Sequence, residues 1–176
     1  MKYIVIIFLI LLGCTDDRSL DYDDFEARPS FQINFFEIEY PTELINSGND
    51  SIPVPNTIRD FLDVDFLSEE FNEDYLESLE FIFLAENSIN QPQTINFVFL
   101  DGNGVVTFRL TERIEAGEED NPTVQNFSAE LTPQEIDLIT SSVVAQILIS
   151  QPSEASNTGM MQIECILEAS YLYTRE

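Results

Sequence analysis

Asp63 and Asp65 come nearest in type and spacing to a catalytic pair. On an extended strand, residues two apart stand about 7 Å from one another on one face, within the separation that inverting glycoside hydrolases use. Any alternating strand with two outward acids has that spacing, and nothing in the local sequence would drive the two pKa values apart. No catalytic residue is therefore assigned. Glu118, Glu119 and Asp120, followed by Asn121, gather the flexible oxygens that a hard cation such as calcium needs. A solvated acidic loop accounts for them without a metal, so they stand as metal candidates only and no cofactor is expected. Asp101, Asn103 and Glu112 match the ends of an EF-hand loop, but Val105 and Val106 occupy the places of an oxygen ligand and the required glycine. That stretch reads as a turn between strands.

Composition narrows the chemistry further. The chain has no His, which removes imidazole-based triads, histidine-ligated zinc or iron, and histidine pH switching. It has 33 acids against 7 bases, so its field repels nucleic acid and anionic headgroups. It has no Trp to serve as a sugar-stacking platform. There are two cysteines, Cys14 and Cys165; the alternation around Cys165 places it among apolar side chains, as a small core residue.

The elements that would position these residues repeat with period two. Met161, Ile163, Cys165, Leu167, Ala169, Tyr171 and Tyr173 alternate with mostly polar residues, which predicts a long strand with one buried face. Thr94–Leu100 and Val105–Glu112 predict a hairpin through Asp101-Gly102-Asn103-Gly104, whose Asn-Gly pair suits positive dihedrals. Phe81-Ile82-Phe83-Leu84-Ala85 predicts a central strand covered on both faces. Phe31, Ile33 and Phe35 share one parity and Phe36 and Ile38 the other, which predicts a bulge. Leu62, Val64 and Phe66 predict an inward face with Asp63 and Asp65 turned to water. Further strands fall over 123–130 and 143–150.

Thr132-Pro133-Gln134-Glu135 is a capping box that opens one short helix near 132–139. Residues 42–56 read as a loop, with Asp50-Ser51-Ile52 resembling a bacterial O-glycosylation acceptor. The expected fold is all-β, a two-sheet antiparallel sandwich, immunoglobulin-like or jelly-roll.

Upstream of the strands, Lys2 precedes an uncharged apolar run over 3–12, too short to span a membrane. The run ends in Leu11-Leu12-Gly13-Cys14, which resembles the lipobox of bacterial lipoproteins. The resemblance implies cleavage before Cys14 and a covalent lipid on it, and Asp16 and Asp17 resemble the acidic export signal of some Gram-negative surface lipoproteins. The implied organisation is a signal peptide over 1–13, a lipidated cysteine with an acidic flexible tether over 14–29, and a β-sandwich over 30–176. The strands resemble those of uncharacterised envelope lipoproteins. The expectation is a non-catalytic binding or structural module of the outer membrane, on its periplasmic or surface face. Its lipid anchor meets the membrane, another envelope protein is the partner, and nucleic acid is excluded. The alternative is a carbohydrate-binding or carboxylate-pair glycan-active accessory protein, with calcium as a possible ligand.

Overall fold

The computed structural model describes residues 26–48 and 56–174. Cys14 and its lipobox, most of the acidic tether and Asp50-Ser51-Ile52 lie outside the described residues. The chain divides into two units. In one, strand β1 (Glu26–Ala27) pairs antiparallel with β10 (Tyr173–Thr174). The other, Arg28–Leu172, holds the sandwich.

One sheet of the sandwich has the order β2 (Ser30–Pro41), β9 (Met160–Tyr171), β4 (Leu76–Asn87), β7 (Thr123–Glu130). The second has the order β3 (Thr57–Asp63), β8 (Ser142–Ser150), β5 (Gln93–Asp101), β6 (Val106–Ile114). All pairings are antiparallel. The pairs nest: β5 with β6 is innermost, then β4 with β7, β3 with β8, and β2 with β9 outermost, alternating between the two sheets. This is jelly-roll topology, and it replaces the immunoglobulin-like alternative, which needs a different strand order. Among the described strands, only β5 and β6 are joined by a tight hairpin, so most pairings link strands far apart in sequence.

Alternation sets the core. Leu79, Phe81, Phe83 and Ala85 of β4 and Met161, Ile163, Cys165 and Leu167 of β9 face Ile95, Phe97 and Phe99 of β5 and Ala145, Ile147 and Ile149 of β8, all buried. Aromatic rings cross between the sheets: Phe83 stacks on Phe97 at 4.6 Å between centroids and Phe81 lies 5.4 Å from Phe99. Phe83 also stacks on Phe127 of its own sheet at 4.7 Å. Such offset pairs add about 0.5–1.5 kcal/mol beyond the area they bury.

The structure departs from the sequence expectation at four places. The central strand β4 is covered on one face only: Ile82 is half-buried and Leu84 is 40% exposed. Three short helices occur among the described residues, not one. The expected helix, α3 (Pro133–Ile139), has both halves of its capping box in place. The others are α1 (Thr42–Ser47), in a stretch read as loop, and α2 (Glu70–Tyr75), which follows a 3-10 turn at Asp65–Ser68. Neither carries a side-chain cap, and each is too short to display a period; tertiary contacts hold them. Thr42 Oγ1 donates to the carbonyls of Thr158 and Gly159, while Asn72 Nδ2 donates to the Phe66 carbonyl and Asn72 Oδ1 accepts from the Tyr171 hydroxyl. Third, β2 has its bulge at the expected place, between Asn34 and Phe36, but Phe31 and Ile33 before it remain largely exposed. Fourth, in the 101–104 turn only Gly104 takes a positive φ, 79°, with its N–H donating to the Asp101 carbonyl at 2.9 Å.

Candidate functional site

The residues singled out for chemistry occupy separate places. Strand β3 stops at Asp63, so Asp63 and Asp65 do not stand two apart on one strand. Asp63 Oδ1 instead accepts from the Asp65 backbone N–H at 3.1 Å, which ties the carboxylate into the start of the 3-10 turn. Both acids nevertheless line one shallow recess of about 470 Å³ with Phe61, Leu62, Val143 and Val144. Phe61 is half exposed there.

Glu118, Glu119 and Asp120 lie exposed in a tight turn, where Glu118 and Asn121 exchange backbone hydrogen bonds of 3.1 and 3.0 Å. Glu118 and Asn121 line a second recess of about 330 Å³ with Asn90, Ala116, Gly117 and Thr123. Gly117 is required at its base: a Cβ there would sit 1.9 Å from the Asn87 carbonyl oxygen. Among the described residues, no three His, Cys, Asp or Glu side chains converge as a metal site would require.

Asp101 Oδ1 accepts from the backbone N–H groups of Asn103 and Val105 at 2.8 Å each. These bonds, that from Val105 foremost, hold its carboxyl below the usual range. Its oxygens therefore serve the turn. Cys165 is buried, and burial pushes its thiol pKa well up, away from the thiolate that a nucleophile needs.

Register across the strands reveals a feature that no single segment displays. On the outer face of the β2-β9-β4-β7 sheet stand Glu37, Glu39, Glu80, Glu86, Glu130, Glu164 and Glu168, with no Lys or Arg. Glu80 is directly opposite both Glu168 and Glu130, and Glu37 is directly opposite Glu164. Like charges in direct cross-strand opposition destabilise a sheet. Two glutamines relieve part of this: Gln32 Nε2 donates to Glu168 at 2.5 Å and Gln162 Nε2 to Glu37 at 3.2 Å.

The outer face of the other sheet has the opposite character. Arg59 stands in a row with Leu148, Asn96 and Thr111, and the next row is Phe61, Gln146, Val98 and Arg109. Arg113 lies opposite Thr94 and donates through Nε to Glu115 Oε1 at 3.1 Å, and Asp63, opposite Val144, is the one acid within the strands of this face among the described residues. Three of the four described arginines thus share one face with Phe61, Leu148 and Val98. Val98 is only 6% exposed although it points away from the core, so the side chains around it shelter an apolar centre. The fourth, Arg28, lies outside the strands of this sheet and pairs with Glu77, as Arg113 does with Glu115. Sequence reading found the alternation within each strand but not this partition, because the rows join residues from strands as distant as β3 and β8.

The fold and these faces define an all-β, two-sheet jelly-roll sandwich. The sequence matches no protein-family model and no curated protein. Its arrangement is similar to that of a Parabacteroides distasonis protein classed as secreted, at 12% identity and a TM-score of 0.44, over 83% of this chain and 38% of that one. It is also similar to the enzymatically active domain of tailspike protein 4 of bacteriophage CBA120, at 14% identity and a TM-score of 0.38, over 80% and 19% of the two chains. A third similarity is to the Tobacco streak virus coat protein dimer, at 12% identity and a TM-score of 0.37, over 85% and 88%. The chain spans less than two fifths of the length of the first two.

Proposed function

We propose that this chain is a lipid-anchored, non-catalytic binding module of the bacterial cell envelope. It is held in the outer membrane through a lipid on Cys14 and recognises another envelope protein through the outer face of the β3-β8-β5-β6 sheet. The segregation of charge carries the reading. In a chain with 33 acids and 7 bases, Arg59, Arg109 and Arg113 collect on one sheet face around Phe61, Leu148 and the sheltered Val98. Arginine and aromatic anchors on an apolar ground are the side chains that protein interfaces favour, and a face of this sign fits an acidic partner.

Co-purification from detergent-solubilised membranes tests the reading. The wild type should retain a partner that Arg109→Glu loses, with the circular dichroism spectrum unchanged. Recovery of the same proteins by both forms would refute the assignment of this face. Fatty-acid labelling that persists in Cys14→Ala would refute the anchor, and protease shaving of intact cells separates the periplasmic from the surface location.

A second reading, glycan binding, is favoured by the recess that joins Phe61 to Asp63 and Asp65. A phenyl ring can stack on a sugar and the carboxylates can accept from its hydroxyls. Retention on a polysaccharide column that Phe61→Ala abolishes would support it, and equal retention of both forms would count against it.

A further inference from the structure

We infer that the acidic partner of the arginine face is the glutamate face of a second copy of this chain, so that copies stack head to tail through opposite faces of the sandwich. The inference rests on the reading above for the arginine face and gives that face a second copy of this chain, rather than a different envelope protein, as its partner. Both surfaces are four-stranded antiparallel sheets with side chains projecting at the same strand spacing, so rows on one can meet rows on the other. One carries seven Glu and no base; the other carries three Arg, of which Arg113 is bonded to the neighbouring Glu115, one Asp and an apolar centre.

The contact offsets a cost visible within the single chain. Glu80, flanked by Glu168 and Glu130, gains an opposite charge if an arginine of the next copy settles over the row. Eight paired residues across four strands cover about 26 by 19 Å, or roughly 500 Å² on each side. The total of about 1,000 Å² sits at the lower limit for a specific interface. The association is therefore weak for free protein and is favoured by anchoring in one membrane, which raises the local concentration. The large net negative charge opposes the approach of two copies, but beyond about 8 Å that repulsion is screened at physiological salt.

Because the two contact surfaces differ, the interface is heterologous and does not close on itself as a symmetric dimer does. That gives the test its signature. Sedimentation of the full lipidated chain in detergent should show a mean mass that rises with concentration past the dimer. Arg109→Glu spoils one face and the double change Glu80→Arg with Glu164→Arg the other, and each variant alone should sediment as a monomer that still melts cooperatively, the double change at a higher temperature because it relieves three Glu–Glu oppositions. Mixed in equal amounts, the two should associate again, because each contributes one intact face and the reversed charges of the two altered faces also complement each other.

A wild type that stays monomeric at every concentration would overturn the inference, as would association that neither variant alters, or a mixture that fails to pair. If self-association is absent while Arg109→Glu still loses a different co-purified envelope protein, the inference falls and the reading beneath it stands. If neither effect occurs, both fall.

Discussion

The two outer faces of this sandwich are built by the same rule and end with opposite chemistry. Each lies on a four-stranded antiparallel sheet whose alternate residues enter one common core, with Phe83 stacked against Phe97 across the gap. Yet one presents Glu37, Glu80, Glu130, Glu164 and Glu168, while the other presents Arg59, Arg109, Arg113 and Phe61. The inner positions are constrained by packing density, so both sheets read as Phe, Ile, Leu and Val there. The outer positions are free of that constraint, and their residues record what the surface meets, solvent or a partner. The glutamate face goes further, since it keeps direct like-charge oppositions that a surface serving only solubility could avoid.

The largest effect should come from what the faces share. Phe83→Ala removes stacking on both Phe97 and Phe127 and should cost about 3–5 kcal/mol in urea unfolding, weakening both faces together. If it left one sheet's amides protected from exchange while the other opened, the idea of one common core would fail.

Alkaline pH attacks the same interior from within. The Tyr40 hydroxyl is held above its ordinary pKa by burial and then by Asp60, to which it donates at 3.1 Å; burial alone raises the Cys165 thiol. The folded chain therefore keeps protons that the unfolded chain releases above about pH 9–10. Stability should fall as pH rises past that point, by up to about 1.4 kcal/mol per pH unit for each retained proton. A melting temperature level from pH 8 to 11 would contradict this, and Tyr40→Phe should flatten the slope.

Thr132→Ala deletes the cap of α3 and should cost about 1 kcal/mol. The same box has an acid limb. Hydrogen bonds from the Thr132 backbone and hydroxyl hold Glu135 below its usual pKa, so its contribution is complete above about pH 4.5 and is lost as pH falls through the lower folded value. Glu135→Gln should remove that part of the acid-induced loss.

The smallest effects discriminate the faces from each other. Glu80→Gln relieves two oppositions and should stabilise the chain by about 0.2–1 kcal/mol for each, less at high salt. Arg109→Gln on the other face should change stability by no more than about 0.5 kcal/mol. Equal and opposite shifts, or none at Glu80, would erase the distinction between strained and unstrained faces.

Legibility followed the range of each interaction. The β5–β6 hairpin, the β2 bulge, the long β9 strand and the α3 capping box are local: a turn, a parity shift, an alternation and a four-residue cap each lie within one window. Helices α1 and α2 were illegible because Thr42 and Asn72 are held by residues far along the chain. The pairing of Asp63 with Asp65 misled for the same reason. Spacing along an assumed strand could not foresee that the strand ends at Asp63 and that its carboxylate closes a turn.

By itself the sequence determined that this is a β protein with a phenylalanine-rich core, that Cys165 belongs inside it, and that histidine chemistry is absent. Alternation and composition are properties of neighbouring residues and need no fold to be read. Only the tertiary structure decided jelly-roll over immunoglobulin-like order and gathered the arginines and glutamates on opposite faces. Both depend on which strand lies beside which, and in nested pairs such as β2 with β9 the partners are joined by long-range hydrogen bonding rather than by any local turn.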